Sequence, residues 1–190
     1  MQEKIKNMSP EELREFQKQQ CVFCHIVSGK VPSKKVYEDD KCLAILDINP
    51  ANLGHILLLP KEHYMIMPQV PEEIMGHLAI ISKQLSNICL KAFQCQGTNI
   101  FVANGLVAGQ KAQHFMIHII PRFEGDDLNF NLLEQNIQES QLKQIRDILR
   151  QKISALMGIE LEEESENKTI DSKSQEPKED KIEQGIEKVE

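Results

Sequence analysis

The sequence predicts an α+β fold built on an antiparallel sheet. Two apolar-rich runs, KVYEDD and CLAILDI, follow each other with only a short polar turn between them, which is typical of a β-hairpin. Two longer segments, 71–93 and 139–156, carry apolar residues every three or four positions, as amphipathic helices do. Strands in hairpin order with helices inserted between them favour an antiparallel sheet.

The N-terminal part is predicted to begin with a helix in residues 1–19. Ser9, followed by Pro10 and by Glu12 three positions on, forms a capping-box pattern. The next stretch, CVFCHIVSGKVPSKK, is rich in turn-forming residues, so we expect turns there. After the hairpin, residues 50–54 mark a loop and HILLLP is predicted to be a buried strand.

The second half of the chain alternates long helices with strands. TNIFVAN and HFMIHII are predicted strands, joined by the glycine-containing loop GLVAGQ. Residues 126–158 are predicted to be a C-terminal helical extension. Beyond it apolar residues nearly vanish, so residues 159–190 are expected to be a disordered acidic tail.

The net charge of the chain is concentrated at its C-terminal end. The 190 residues include 29 acidic and 22 basic side chains, a net charge of −7, and residues 160–190 hold twelve acidic residues against five lysines. The first 159 residues therefore carry no net charge. Duplex DNA binding requires several cations on one face, so we expect no duplex nucleic acid as a partner.

The apolar and cysteine patterns bear on the cellular compartment. No stretch approaches the roughly 20 apolar residues of a membrane helix, and the N-terminus has no apolar signal-peptide core, so we expect no membrane partner. The five cysteines are an odd number, which is typical of a reducing environment. Together these observations predict a cytoplasmic protein.

The close pair Cys21 and Cys24 indicates metal binding. Two thiols in one turn suit a tetrahedral metal, although a redox-active pair has the same spacing. The redox alternative expects the motif to open a helix in a βαβ unit, whereas this pair precedes a hairpin. Further ligands must come from the six histidines: His25, His55, His63, His77, His114 and His118.

Three motifs in order resemble the signatures of the histidine triad (HIT) family. DINPANLGHILLLPKEH at 47–63 resembles the first signature, and AGQ at 108–110, followed by His114, His118 and a Pro-Arg pair, resembles the second. CVFC with SGKVPSKKVYEDD resembles the zinc-bearing, Hint-like branch. The resemblance covers residues 20–125, which we assign as the HIT domain, and three motifs in register carry more weight than one.

The resemblance implies a fold, an activity and a metal. The fold is a HIT-like five-stranded antiparallel sheet with a long helix, here with N- and C-terminal helices added, and it pairs as a homodimer with helix 71–93 near the interface. Family members bind purine nucleotides and hydrolyse or transfer nucleotidyl groups through a covalent nucleotidyl-histidine. The implied structural zinc has a closed set of four ligands: Cys21, Cys24, His63 and His114.

The resemblance also assigns nucleotide-binding residues. Asp47 would accept hydrogen bonds from the ribose hydroxyls. Asn104 and the Gly109-Gln110 turn would orient the phosphate with side-chain and backbone donors. Lys111, directly after the turn, is a candidate cation for the phosphate. His55, which follows a glycine in the first signature, is interpreted as structural.

The triad itself departs from the family pattern at its centre. The family reads His-x-His-x-His, whereas this chain reads His114-Phe115-Met116-Ile117-His118. In a strand, residues 114, 116 and 118 share one face, so Met116 stands where the family has its nucleophile. A thioether is a poor nucleophile toward phosphorus and has no proton to exchange.

Three functions of different classes follow from these residues. The first is a protein that binds a purine nucleotide or nucleotide conjugate with reduced or absent nucleotidyl hydrolase or transferase activity. The second is an active hydrolase of nucleotide phosphoramidates or dinucleoside polyphosphates in which His118, a phosphate contact in the family, acts as general base on water. The third is an interaction module with a vestigial cleft. Met116 favours the first over the second. Asp47, Asn104, Gln110 and His118 favour the first or the second over the third.

Overall fold

The computed structural model describes residues 8–129, 132 and 134–161. The chain divides into two compact units, Met1–Asn131 and Leu132–Glu190. Most of the sequence interpreted as an acidic tail, residues 162–190, lies outside the described residues.

The described part of the first unit contains a five-stranded sheet, three α-helices and two short 3₁₀ helices, Met67–Gln69 and Leu106–Ala108. Its helices are α1 (Pro10–Gln20), α2 (Val22–Val27) and α3 (Glu72–Phe93). Its strands are β1 (Lys35–Glu38), β2 (Cys42–Leu46), β3 (Ile56–Pro60), β4 (Gly97–Phe101) and β5 (Ile117–Arg122). The described part of the second unit contains helix α4 (Glu139–Met157), which ends at Gly158 in the left-handed conformation (φ 64°). None of these helices is long and apolar enough to span a membrane.

The capping box of α1 forms as the sequence predicts. The Ser9 hydroxyl accepts the Glu12 N–H at 3.2 Å, and the Glu12 carboxylate accepts the Ser9 N–H at 2.7 Å. The turns expected after α1 are wrong in part, because residues 22–27 form α2. The carbonyl of Cys21 accepts the N–H of His25 at 3.1 Å and so closes the first turn of this short helix.

The sheet is antiparallel throughout, with strand order β1-β2-β3-β5-β4. This arrangement confirms the five-stranded antiparallel architecture expected from the sequence. Strand β5 lies inside the sheet, since its residue His118 pairs with Leu57 of β3 on one side and with Phe101 of β4 on the other. It begins three residues later than predicted, because the Phe115 N–H donates to the Tyr64 carbonyl (2.6 Å) before the ladder starts.

Apolar clusters cover both faces of the sheet. On the α3 face, Phe115, Ile117 and Ile119 are buried against residues of that helix. On the opposite face lies a smaller cluster, with which Phe23 and Met116 pack. The alternation predicted for 114–118 is therefore preserved, and it directs the even-numbered positions away from α3.

Candidate functional site

A pocket of about 560 Å³ opens on the face of the sheet opposite α3. This volume falls within the usual range of small-molecule sites. The lining residues come from Phe23 in α2, the β2–β3 loop, Leu57 in β3, and positions within 101–103, 109–120 and 128. Among the lining residues are four at alternate positions of one segment: His114, Met116, His118 and Ile120.

The pocket gathers most of the residues proposed from the sequence for nucleotide binding. Asp47, Gly109, Gln110 and Lys111 line it together with Met116 and His118. Asp47 is held by its own loop, because one carboxylate oxygen accepts the Asn49 N–H at 2.9 Å. Asn104 is not among the residues that line the pocket, and its side-chain oxygen accepts the Met67 N–H at 2.9 Å.

The Gly109-Gln110 turn uses its donors internally. The Gly109 N–H donates to Leu106 O at 3.0 Å and the Gln110 N–H to Gly105 O at 3.1 Å. The Gln110 amide N–H groups donate to the carbonyls of Met65 and Ala112 (2.6 and 2.9 Å). In this conformation the turn shapes the loop and presents none of these donors to a phosphate, which differs from the role we expected.

Donors for an anion lie just beyond that turn. In the part of the chain that the structure describes, the backbone N–H groups of Lys111 and Ala112 have no hydrogen-bond partner, and both residues line the pocket. Lys111 is also the only Lys or Arg among the described residues that line it. Successive backbone N–H groups beside a cation form an anion-binding surface.

His55, interpreted from the sequence as structural, lines the pocket and contacts His118. Nδ1 of His55 accepts the Ala51 N–H at 3.1 Å, so Nε2 of His55 carries the ring proton. That Nε2–H lies 3.0 Å from Nδ1 of His118 and donates to it. Burial lowers the pKa of both rings, which keeps them neutral near pH 7.

This chain of hydrogen bonds fixes the tautomer of His118. Because Nδ1 of His118 accepts a hydrogen bond from His55, the hydrogen of the neutral His118 ring is on Nε2, which is therefore a donor. A nitrogen that bears a hydrogen cannot take a proton from water. The general-base role proposed for His118 is therefore absent in this tautomer, whereas donation to a phosphate oxygen or a leaving group is available.

A second cluster joins the two cysteines to two histidines. The four candidate ligand atoms of Cys21, Cys24, His63 and His114 lie within 4.8 Å of one another. Sγ of Cys24 lies 3.2 Å from Nδ1 of His63 and 3.6 Å from Nδ1 of His114, and Sγ of Cys21 lies 3.5 Å from Nδ1 of His114. Tetrahedral zinc with ordinary bond lengths separates sulfur and nitrogen ligands by about 3.6 Å.

The surroundings of this cluster also fit a metal. Nε2 of His114 lies 3.0 Å from the carbonyl of Pro60, so it holds the ring proton and leaves the Nδ1 lone pair facing the thiols. Burial and the neighbouring Cys21 raise the pKa of the Cys24 thiol to about 12, and burial lowers the pKa of His114 to about 4. Without a cation, Cys24 is thus a thiol and His114 a neutral imidazole. The structure thus brings together the four residues that the sequence predicts as metal ligands.

Comparison with known proteins places this geometry in a family. The sequence profile of the HIT domain matches residues 28–125, slightly more than half of the chain. The chain belongs to the histidine triad family. A HIT-like protein of Methanocaldococcus jannaschii is 46% identical over 107 residues, which cover 56% of this chain and 81% of that protein.

Two further HIT relatives bear on the chemistry. The adenylylsulfatase HINT3 of Arabidopsis thaliana is 44% identical over 108 residues, 57% of this chain, which spans 55% of that protein's length. The crystal structure of a zinc-bound histidine triad protein from Mycobacterium smegmatis has a TM-score of 0.57 and 34% identity. The similarity covers 73% of this chain and 99% of that one.

Proposed function

We propose that this HIT protein binds a purine nucleotide or nucleotide conjugate and has lost the covalent nucleotidyl-transfer step. The observation that carries the proposal is the position of Met116. It lines the pocket between His114 and His118, at the position that the family signature gives to the nucleophile, and its side chain packs on the small apolar cluster of that face.

The chemistry of the thioether supports the loss of that step. A neutral imidazole attacks phosphorus and later leaves, because its pKa is near the working pH. A methionine sulfur has neither property. Loss of the nucleophile from a cooperating catalytic set costs on the order of 10⁶ in kcat. Without the nucleophile, the site keeps its capacity to bind a ligand and the hydrogen-bond donor Nε2–H of His118.

The binding groups of the pocket support retention of the ligand. The Asp47 carboxylate lines the pocket and would accept ribose hydroxyls, and the N–H groups of Lys111 and Ala112, with the Lys111 ammonium, would bind a phosphate. Phe23, Leu57 and Ile120 supply apolar surface for a base. The cleft therefore keeps groups for all three parts of a nucleotide, which argues against a vestigial cleft.

Zinc in this proposal is structural. Cys21, Cys24, His63 and His114 would hold it with no position open for substrate. The zinc would connect the segment that contains Cys21 and Cys24 to the sheet, since the four ligands come from three separate parts of the chain. Such sites can contribute on the order of 10–16 kcal/mol of apparent binding free energy to folding.

A homodimer is the proposed quaternary state. The proposal is supported by the family and by strand β4, which lies at one edge of the sheet with Ile100 52% exposed. On α3, Ile80 and Ile88 are also more than half exposed. An edge strand with apolar side chains is a template for pairing with another chain.

A hydrolase without a covalent intermediate is the second candidate. It is favoured by the Nε2–H of His118, which can protonate a leaving group while water attacks phosphorus directly. The name of the Arabidopsis relative, an adenylylsulfatase, is consistent with cleavage at a nucleotide phosphate. This candidate requires a base for the water, which the observed tautomer of His118 does not provide.

Calorimetry combined with a turnover assay separates these candidates. The proposal expects binding of AMP or GMP to wild-type protein, weaker binding to Asp47→Ala, and little turnover of adenosine phosphoramidate or diadenosine polyphosphates. A charge-assisted hydrogen bond is worth about 1.5–3 kcal/mol, so the Asp47→Ala loss is expected to be at least tenfold in Kd. Turnover at a rate unchanged by Met116→His would favour the second candidate. No binding at millimolar nucleotide would favour the interaction module.

A further inference from the structure

Asp126 lies one residue beyond the segment that matches the HIT family and is the shared acceptor of a part-buried hydrogen-bond network. Its side chain is 8% exposed and accepts five hydrogen bonds. The donors are Nε and Nη2 of Arg122 (2.7 and 2.8 Å), Nδ2 of Asn52 (2.8 Å), and the backbone N–H groups of Phe123 (3.0 Å) and Leu128 (3.1 Å). The Arg122 guanidinium holds the pKa of Asp126 well below its usual range, so it is a carboxylate.

One arm of this network reaches the histidine pair. Asn52 belongs to the β2–β3 loop, 74 residues from Asp126 in sequence. Its backbone carbonyl accepts the His55 N–H at 3.1 Å, and its side-chain oxygen accepts the Leu53 N–H at 2.9 Å. By holding Asn52, Asp126 fixes the backbone from which the His55 ring reaches His118.

The other side of this network reaches a second part of the pocket lining. Leu128, whose N–H donates to Asp126, lines the pocket, and its carbonyl accepts Nη2 of Arg122. Nη1 of Arg122 donates to the side chain of Asn99 on β4 at 2.6 Å. The Asp126 carboxylate therefore connects the β2–β3 loop and Leu128, and through Arg122 also Asn99 on the edge strand β4.

We propose that Asp126 is a positioning residue of the nucleotide pocket, which holds the β2–β3 loop and Leu128 in place and sets the orientation of His55 and, through it, of His118. The proposal rests on the proposed function for its ligand but on Asp126 for its geometry. A neutral amide cannot replace this carboxylate, because its NH₂ group would face donors where an acceptor is required. Small displacements of the groups that form a site have large effects on how that site works.

Asp39 provides a matched control. It is also a carboxylate with four donors, and its side chain is 18% exposed. The donors are the Tyr37 hydroxyl (2.8 Å), the N–H groups of Lys41 (2.9 Å) and Cys42 (2.7 Å), and Nε2 of His77 (2.7 Å). None of these residues lines the pocket. Asp39→Asn therefore removes a comparable network without touching the site.

The experiment compares wild type, Asp126→Asn and Asp39→Asn, each zinc-loaded, by calorimetry with AMP and by ¹⁵N NMR of the histidine side chains. We expect Kd to rise roughly tenfold in Asp126→Asn and to stay within about twofold in Asp39→Asn, although both lose thermal stability. The imidazole nitrogens of His55 and His118 should shift in Asp126→Asn alone.

Two results would overturn the proposal: unchanged imidazole signals in Asp126→Asn, or equal effects of the two substitutions on Kd. If Asp126→Asn does not fold, Asn52→Ala cuts one arm only and must still shift the imidazole signals. If wild-type protein binds no AMP, the proposed function fails, whereas the NMR comparison still decides whether Asp126 positions the pair.

Discussion

Nε2 of His55 donates a hydrogen bond to Nδ1 of His118 at 3.0 Å, and the Ala51 N–H on the other nitrogen of His55 fixes its direction. His118 is thereby held as a donor toward the pocket. Next to it stands Met116, which has no proton to give and no nucleophilic nitrogen. The site therefore combines a preset hydrogen-bond donor with the absence of a covalent catalyst.

Removal of His55 is predicted to change the tautomer equilibrium of the His118 ring. In wild type, ¹⁵N spectra near pH 7 should show a protonated Nε2 and an unprotonated Nδ1 for His118. In His55→Ala, both tautomers should be populated, because nothing then donates to Nδ1. His25→Ala is the control, since Nε2 of His25 lies 3.0 Å from the Gln19 carbonyl and this residue does not line the pocket. A protonated Nδ1 in wild type would contradict the assignment.

Zinc content is predicted to depend on the four-residue cluster. Purified protein should carry about one zinc per chain, and Cys24→Ser or His63→Ala should abolish it and lower the thermal midpoint. Cys95→Ser changes a buried cysteine outside the cluster and should keep the metal. Because the pKa of Cys24 is raised to about 12, zinc must displace a proton, and its affinity should weaken as pH falls. Stoichiometric zinc in both ligand variants would remove the assignment.

The proposed dimer is predicted to depend on β4. Ile100→Glu places a charge on this edge strand, and we expect it to yield a monomer by light scattering at micromolar concentration. Val36→Glu makes the same change on β1, at the opposite edge, where the side chain is 46% exposed. That variant should stay dimeric. A monomeric wild type, or dissociation by both variants, would contradict the proposed interface.

The sheet and its long helix could be predicted because each has a local signal. The strands are short apolar runs between turn residues, and α3 repeats its apolar residues over 22 positions. Helix α2 could not be predicted because six residues are too short to show a helical period, and its N-cap is Cys21, which is not a usual capping residue.

Only those residues of the site that belong to a sequence motif could be predicted. Cys21, Cys24, His63 and His114 were found through their signatures, and the structure brings them together. The role of His55 could not be found, because its partner His118 lies 63 residues away and only strand pairing joins them. The Gly109-Gln110 turn differs from its expected role because its backbone N–H groups donate to Leu106 and Gly105 within the same loop. One side-chain N–H of Gln110 donates to the carbonyl of Met65, 45 residues away, which the sequence does not indicate.

The central claim is that Met116 removes the covalent step while binding is retained. Intact-protein mass spectrometry after acid quenching tests it most directly, with wild type and Met116→His incubated side by side with adenosine phosphoramidate. We expect no adduct on wild type and a nucleotidyl adduct on Met116→His that peptide mapping places at position 116. An adduct on wild-type protein, mapped to His118, would contradict the account.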